Sequence, residues 1–180
     1  MDHIVDQFLK AIRPSKPQLE PTDINELIKE SMRFLEPEIK DRGLNLTLEL
    51  RSALPVLELD PDQIKQAFYN IVKNSIQATP EGGIITVKTD LSDNHILVTF
   101  NDTGEGISAK NLSTVFQPYF TTKKSGTGLG LLIIRRIIRE HGGDIKISSE
   151  EGFGTSVCIS LPRQQRNVRL LPLEQKNKDL

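Results

Sequence analysis

The sequence predicts an α+β domain, a two-layer sandwich in which one helical layer lies on a mixed sheet. Three observations point there. Helical and strand periodicities interleave along the 180 residues, several strands follow one another closely enough to form hairpins, and short stretches alternate apolar with polar residues. A doubly wound sheet does not fit that order.

The opening segment carries Ile4, Val5, Phe8, Leu9 and Ile12 on one helical face, until Pro14 and Pro17 stop the pattern. An amphipathic helix starting so near residue 1 has its natural use in packing on another helix, with docking on the core as the alternative. Thr22 and Asp23 are good caps for a helix running through Ile24, Leu27, Ile28, Met32 and Leu35 to Asp41, with Pro37 placed to kink it and Gly43 to end it. Leu44, Leu46, Leu48 and Leu50 alternate as in a half-buried strand. Asp60 and Pro61 open a second helix that lasts to Ala78, before a turn at Pro80, Gly82 and Gly83. Residues 84–89 and 95–101 read as a strand pair around a turn at Ser92, Asp93 and Asn94. Residues 103–127 lack periodicity between confident elements, which marks a functional loop. A helix from Gly128 to His141 follows, with Gly142 at its end, and strands at 144–149 and 155–161 close the fold. Residues 163–180 are polar and patternless and are expected to be a disordered tail.

Composition narrows the function. A hydrophobic fraction of 37% and a charged fraction of 26% are those of a soluble globular protein, and a net charge of −1 gives no field for nucleic acid or an anionic membrane. No stretch reaches the roughly 20 apolar residues of a spanning helix, and Asp2 and His3 after Met1 are unlike a signal peptide. The single cysteine, Cys158, sits in an alternating apolar stretch as a small core residue, which suits a reducing cytoplasm.

Four clusters carry chemistry. Asn70 and Asn74 stand one helical turn apart, with Gln66 and Gln77 on the same side, so the second helix offers a stripe of neutral oxygens. Magnesium takes most of its oxygens from water and phosphate, so one amide such as Asn74 suffices; a solvated polar face is the alternative. Asp102 ends a strand and is followed by Thr103, Gly104, Glu105 and Gly106. A carboxylate only accepts and the adenine amine only donates, so Asp102 can select adenine, while the glycines let backbone approach the base. Gly126, Thr127, Gly128, Leu129, Gly130 and Leu131 open a helix whose free amides suit a phosphate chain. No Gly-Lys-Ser/Thr closes them, and the third glycine falls one place early for a dinucleotide fingerprint. Between the glycine clusters, Phe116, Tyr119 and Phe120 can anchor a lid whose Thr122, Lys123 and Lys124 reach phosphates, or can simply fill core.

In this order, the clusters resemble the boxes of the sensor histidine kinase ATP-binding domain over residues 20–162: residues 70–78, 102–106, 116–120 and 126–130, and the Gly152-Phe153-Gly154-Thr155 turn. The ending Gln77-Ala78 and the Phe120-Thr121-Thr122-Lys123 run look most like the nitrogen-regulatory type. The resemblance implies a Bergerat-type fold, a mixed, mostly antiparallel sheet covered on one face by helices. It divides the chain into a remnant of a second dimerisation helix and linker at 1–17, an ATP-binding catalytic domain at 18–162 and the tail. It implies ATP and Mg²⁺ as ligands, with Asn74 on the metal, Asn70 supporting it, Asp102 on adenine assisted by Thr155, and Lys123 on phosphate. Gln77, Ile107, Phe116, Phe120, Thr121, Thr122, Thr127, Leu129 and Leu131 complete the implied nucleotide site beside Gly104, Gly106, Gly126, Gly128 and Gly130. The implied partners are a histidine-containing dimerisation domain, in a homodimer, and a response regulator receiver domain. The parent is then a protein-histidine kinase, and this chain alone is not expected to phosphorylate itself.

In related ATPases, the position of Asn70 resembles a water-activating glutamate. An amide is no general base near neutral pH, which favours transfer over hydrolysis. An ATPase clamp and a silent binding module remain the competing classes. None of His3, His95 and His141 has the context of a phospho-acceptor; His3 reads as a surface residue, His95 as a strand start, and His141 as a cation favoured at a helix C-terminus. The acceptor helix is expected upstream of residue 1.

Overall fold

The structure, a computed structural model, describes residues 16–117 and 128–163. The amphipathic opening segment and the tail beyond residue 163 therefore lie outside the described residues. After a short strand β1 (Glu20–Thr22) comes α1 (Ile24–Asp41), capped by the Asp23 carboxylate, which accepts the Asn25 and Glu26 amides. The helix runs on through Pro37. It ends where Gly43 takes φ +64° and the Gly43 and Leu44 amides turn back to the Lys40 and Ile39 carbonyls, satisfying the orphan acceptors of the last turn.

Strand β2 (Asn45–Leu50) leads to a three-residue strand β3 (Leu57–Leu59), which pairs antiparallel with β1 in a two-stranded sheet that the periodicities did not foretell. Helix α2 (Pro61–Ala78) follows, then β4 (Ile84–Ser92), β5 (His95–Asp102), a single turn α3 (Ala109–Leu112), α4 (Gly130–Glu140), β6 (Asp144–Glu150) and β7 (Gly154–Pro162). The main sheet has the order β2-β4-β5-β7-β6. Only β2 and β4 are parallel; the other pairs are antiparallel.

All longer helices lie on one face of that sheet. Its inward residues, among them Ile85, Val87, Ile96, Val98, Phe100, Val157, Ile159 and Leu161, share one buried core with Ile28, Leu35, Phe68, Val72, Ile134 and Ile138. Phe68 of α2 meets Phe100 of β5 with ring centroids 5.2 Å apart, holding the helix over the end of that strand. The alternating outward positions, including Lys88, Thr99, Lys146 and Ser160, are exposed or half-buried. Cys158 belongs with these: it is half-buried on the outer face, because strand alternation puts Val157 and Ile159 inside instead. Its assignment to the core is corrected accordingly.

His141 also differs from the sequence expectation. It caps α4, yet it is buried at 2% exposure and acts as a connector, not as a cation on the helix dipole. Its Nε2 accepts the Asp60 amide at 3.0 Å, which requires Nδ1–H to donate to the Ile137 carbonyl at 2.7 Å, the neutral tautomer. The Asp60 carboxylate caps α2 by accepting the Gln63 amide and also accepts the Gln18 amide. The end of α4, the start of α2 and the chain's entry into the domain thus meet at two side chains. His141→Ala is predicted to lower stability by roughly 2–4 kcal/mol, because it leaves the Asp60 amide unpaired beside a cavity. Urea unfolding would show this as a lower midpoint; an unchanged midpoint would remove His141 from that role.

Candidate functional site

Topology brings the ends of six elements to one end of the sheet. Strand β5 finishes there at Asp102, opposite Ile85 near the start of β4 and Thr155 near the start of β7. Thr155 in turn stands opposite Ser149 near the end of β6. Helix α2 also ends there: its Ala78 carbonyl accepts the Glu105 amide. Helix α4 starts there, since its other end reaches Asp60 at the far end of α2.

Asp102 is buried at 8% exposure. Its Oδ1 accepts the Gly104 amide at 3.0 Å and the Thr155 amide at 3.1 Å, and its Oδ2 accepts the Ser75 hydroxyl at 2.8 Å. Three donors thus fix the carboxylate's rotation, and one lone-pair direction on Oδ2 remains for a ligand. Among the described residues, no buried side-chain nitrogen or oxygen lacks a partner. Thr155 therefore supports Asp102 through its backbone amide, whereas its hydroxyl lies 2.9 Å from Ser149 Oγ.

The glycines near Asp102 serve the backbone first. A Cβ on Gly106, at φ +70°, would lie 2.0 Å from the Glu150 carbonyl oxygen, and one on Gly154, at φ +100°, would lie 2.0 Å from that of Asp102. Three chain segments stack through these positions, so the glycines let the loop close onto the β6–β7 turn, where the Gly152 amide donates to Glu105 O at 2.7 Å. Gly130 is different. A Cβ there meets nothing within 4 Å among the described residues.

On α2, Asn70 and Asn74 are half-buried, Gln66 and Gln77 exposed, and Ile64, Phe68, Ile71, Val72, Ser75 and Ile76 face the core or Asp102. Asn74 and Gln77, beside Ser75 in the last turns of α2, thus lie at the same end of the domain as the strand-end carboxylate, to which Ser75 donates. Ile107 joins them, its amide donating to Ser149 Oγ at 2.8 Å. Phe116 is half-buried against the core, and the Arg135 guanidinium of α4 stacks over its ring at 5.3 Å, a contact absent from the sequence reading. At the helix start, Leu129 is buried, Gly128 and Leu131 are half-buried, and α4 begins at Gly130, two residues later than expected, after Gly128 at φ +67°. Pro118, Tyr119, Phe120, Thr121, Thr122, Lys123, Lys124, Gly126 and Thr127 lie outside the described residues.

Sequence reasoning missed Ser75 and Ser149, the two hydroxyls that order this end of the sheet. No helix of the described residues is long and apolar enough to cross a membrane.

Residues 59–165 match the family described as histidine kinase-, DNA gyrase B-, and HSP90-like ATPase. The sensor histidine kinase ZraS of Escherichia coli (strain K12) is 35% identical over 162 residues, covering 90% of this chain and 35% of that relative. The chain thus spans about a third of the length of such curated relatives. Among solved structures, the nucleotide-free catalytic domain of histidine kinase ThkA superposes with a TM-score of 0.74 at 33% identity, over 81% of this chain and 96% of that one. Histidine kinase ThkA in complex with response regulator protein TrrA matches at 26% identity with a TM-score of 0.77, over 91% of this chain and 47% of that one.

Proposed function

We propose, from the premise that this chain belongs to the family of histidine kinase-, DNA gyrase B- and HSP90-like ATPases, that it is the catalytic unit of a sensor histidine kinase. It binds MgATP and passes the γ-phosphoryl group to a histidine on a dimerisation domain, for onward transfer to a response regulator. One observation carries this reading: a buried carboxylate locked by three protein donors, with one acceptor direction left, stands at the sheet end where an amide stripe ends and a glycine-led helix begins.

Asp102 accepts the adenine amine. The amides of the first turn of α4 face the phosphate chain, and the room beside Gly130 admits it. Asn74 holds magnesium with Asn70 in support; the oxygen-only donor set and its half-buried setting fit a hard cation that keeps water. When bound, the metal neutralises charge on the phosphate oxygens. Lys123 and its neighbours act as the lid. The amide at residue 70 cannot itself serve as a general base for water, which favours an imidazole nitrogen as the nucleophile at the γ-phosphorus, its attack releasing ADP. The likeness to the ThkA–TrrA complex supports a receiver domain as the downstream partner.

The test mixes this chain with γ-labelled MgATP and the paired acceptor helices of its parent protein. Acid-labile, alkali-stable label on histidine is expected, and Asn74→Ala should cut the rate at least about tenfold. A chain that binds MgATP but labels no histidine in that mixture would overturn the kinase reading, and full activity in the variant would free Asn74 of the metal.

A further inference from the structure

The main sheet has two edges, and they are treated differently. Beside β6, the single turn α3 packs against the strand and the Ile107 amide donates to Ser149 Oγ. Beside β2, nothing among the described residues pairs. The Asn45 amide donates to the Gly83 carbonyl at 2.9 Å and the Arg51 amide to Thr89 Oγ1, so the odd residues of β2 direct their backbone groups toward β4. Those of Leu46, Leu48 and Leu50 therefore point outward, with no partner among the described residues. Strand β2 contains no lysine or proline, and its ladder with β4 has no bulge, so the usual devices that discourage edge pairing are missing. Its inward leucines are not closed over either: Leu48 is 39% exposed and, with Leu46, Met32 and Ile39, lines a groove between β2 and α1.

We propose that this edge pairs with β2 of a second copy of the chain, antiparallel about a two-fold axis at Thr47, joining the two sheets into one. Antiparallel partners share a face, so leucine must meet leucine, and centring on Thr47 gives the full overlap: Leu46 stands opposite Leu48, Leu44 opposite Leu50 and Asn45 opposite Glu49, each twice. The Leu46–Leu48 pairs exchange the outward backbone groups, and the leucine row extends the core. On the other face no like charges meet, and the Asn45 amide donates to the Glu49 carboxylate. Helix α1 packs on β2 and runs opposite to it. Counted from the turn at Gly43, about 3.3 Å per strand residue and about 1.5 Å per helix residue put Thr47 level with the Arg33–Glu36 turn, which lines the same groove. Across the axis Arg33, which has no ion pair among the described residues, faces Glu36 of the other copy. One strand and one helix from each copy make a small interface, below about 1,200 Å², so a Kd on the order of 10–100 µM is expected. The pairing needs no nucleotide.

Sedimentation equilibrium of the full chain tests this. A reversible dimer in that range is expected, and Leu48→Lys should weaken it at least about tenfold, because the ammonium group enters the leucine row. A chain that stays monomeric up to about 1 mM, or a dimer that Leu48→Lys leaves unchanged, as one held by the opening segment would be, overturns the proposal. Cysteines placed in the Cys158→Ser chain read the register, and decide the matter if the lysine variant does not fold. With oxidised glutathione, Thr47→Cys should give a covalent dimer, and Asn45→Cys mixed with Glu49→Cys a covalent pair. Asn45→Cys or Glu49→Cys alone should not cross-link, since its two copies would stand roughly 13 Å apart, beyond the reach of a disulfide. Cross-linking of all three single variants to the same extent, or of none, overturns the two-fold pairing.

Discussion

Asp102→Asn is expected to weaken ATP binding by on the order of a hundredfold, the equivalent of about 3 kcal/mol for a hydrogen bond to a charged group, while leaving the domain folded. The structure explains why asparagine is the sharper test than alanine. Asp102 accepts from Gly104, Thr155 and Ser75, so alanine would strand three donors at a buried position and lose stability along with binding. None of these partners is visible in the sequence. In asparagine, Oδ1 still takes the two amides, and the new NH₂ can donate to Ser75 Oγ. Toward the adenine amine it then presents a donor to a donor. Calorimetry with Mg²⁺ATP and a thermal melt on the same sample separate the two effects; wild-type affinity in a folded variant would take Asp102 out of the site.

Gly154→Ala should fail in the opposite manner, losing stability and binding together. The added Cβ would lie 2.0 Å from the Asp102 carbonyl oxygen, at a φ of +100° that alanine rarely adopts. Strain and overpacking of that kind are worth roughly 3–5 kcal/mol, and relief requires β7 to move away from β5 at the residue that carries the carboxylate. Gly130→Ala is the matched control. Its Cβ meets no described atom within 4 Å, and alanine gains up to about 1 kcal/mol of helix propensity, so urea unfolding should show equal or higher stability. ATP binding should nevertheless weaken if a phosphate chain occupies that room. A Gly154→Ala protein as stable as wild type would mean that the strand junction is looser than its backbone distances indicate.

Most of the secondary structure was legible because the signals were local and long. Helices α1 and α2 carry apolar residues at helical spacing behind Asp23 and Asp60 caps, and the paired strands alternate cleanly. What escaped was short or non-local. Strands β1 and β3 have three residues each, too few for any period, and are joined only by pairing across the intervening helix and strand. Single-turn α3 has no side-chain cap to announce it. In the candidate site, Asp102 and the amide stripe could be found from residue type and position, whereas two of the three hydrogen bonds that orient Asp102 come from residues 27 and 53 positions away. Two signals were available nonetheless. Ser75 falls on the apolar face of its helix with Ile71, Val72 and Ile76, and Ser149 continues the inward series Ile145 and Ile147. A hydroxyl in such a position needs a buried partner, which makes it a marker for polar architecture.

The lone parallel pair in the sheet fixes the address of the candidate site. Because β2 and β4 run the same way, the chain must travel back across the domain between them, and α2 is that return journey. Its last turn is therefore delivered to the strand terminus where Asp102 waits. Had the two strands been joined by a tight hairpin, no helix would have crossed here, and Asn74 would have had no route to the end of the sheet that carries the carboxylate.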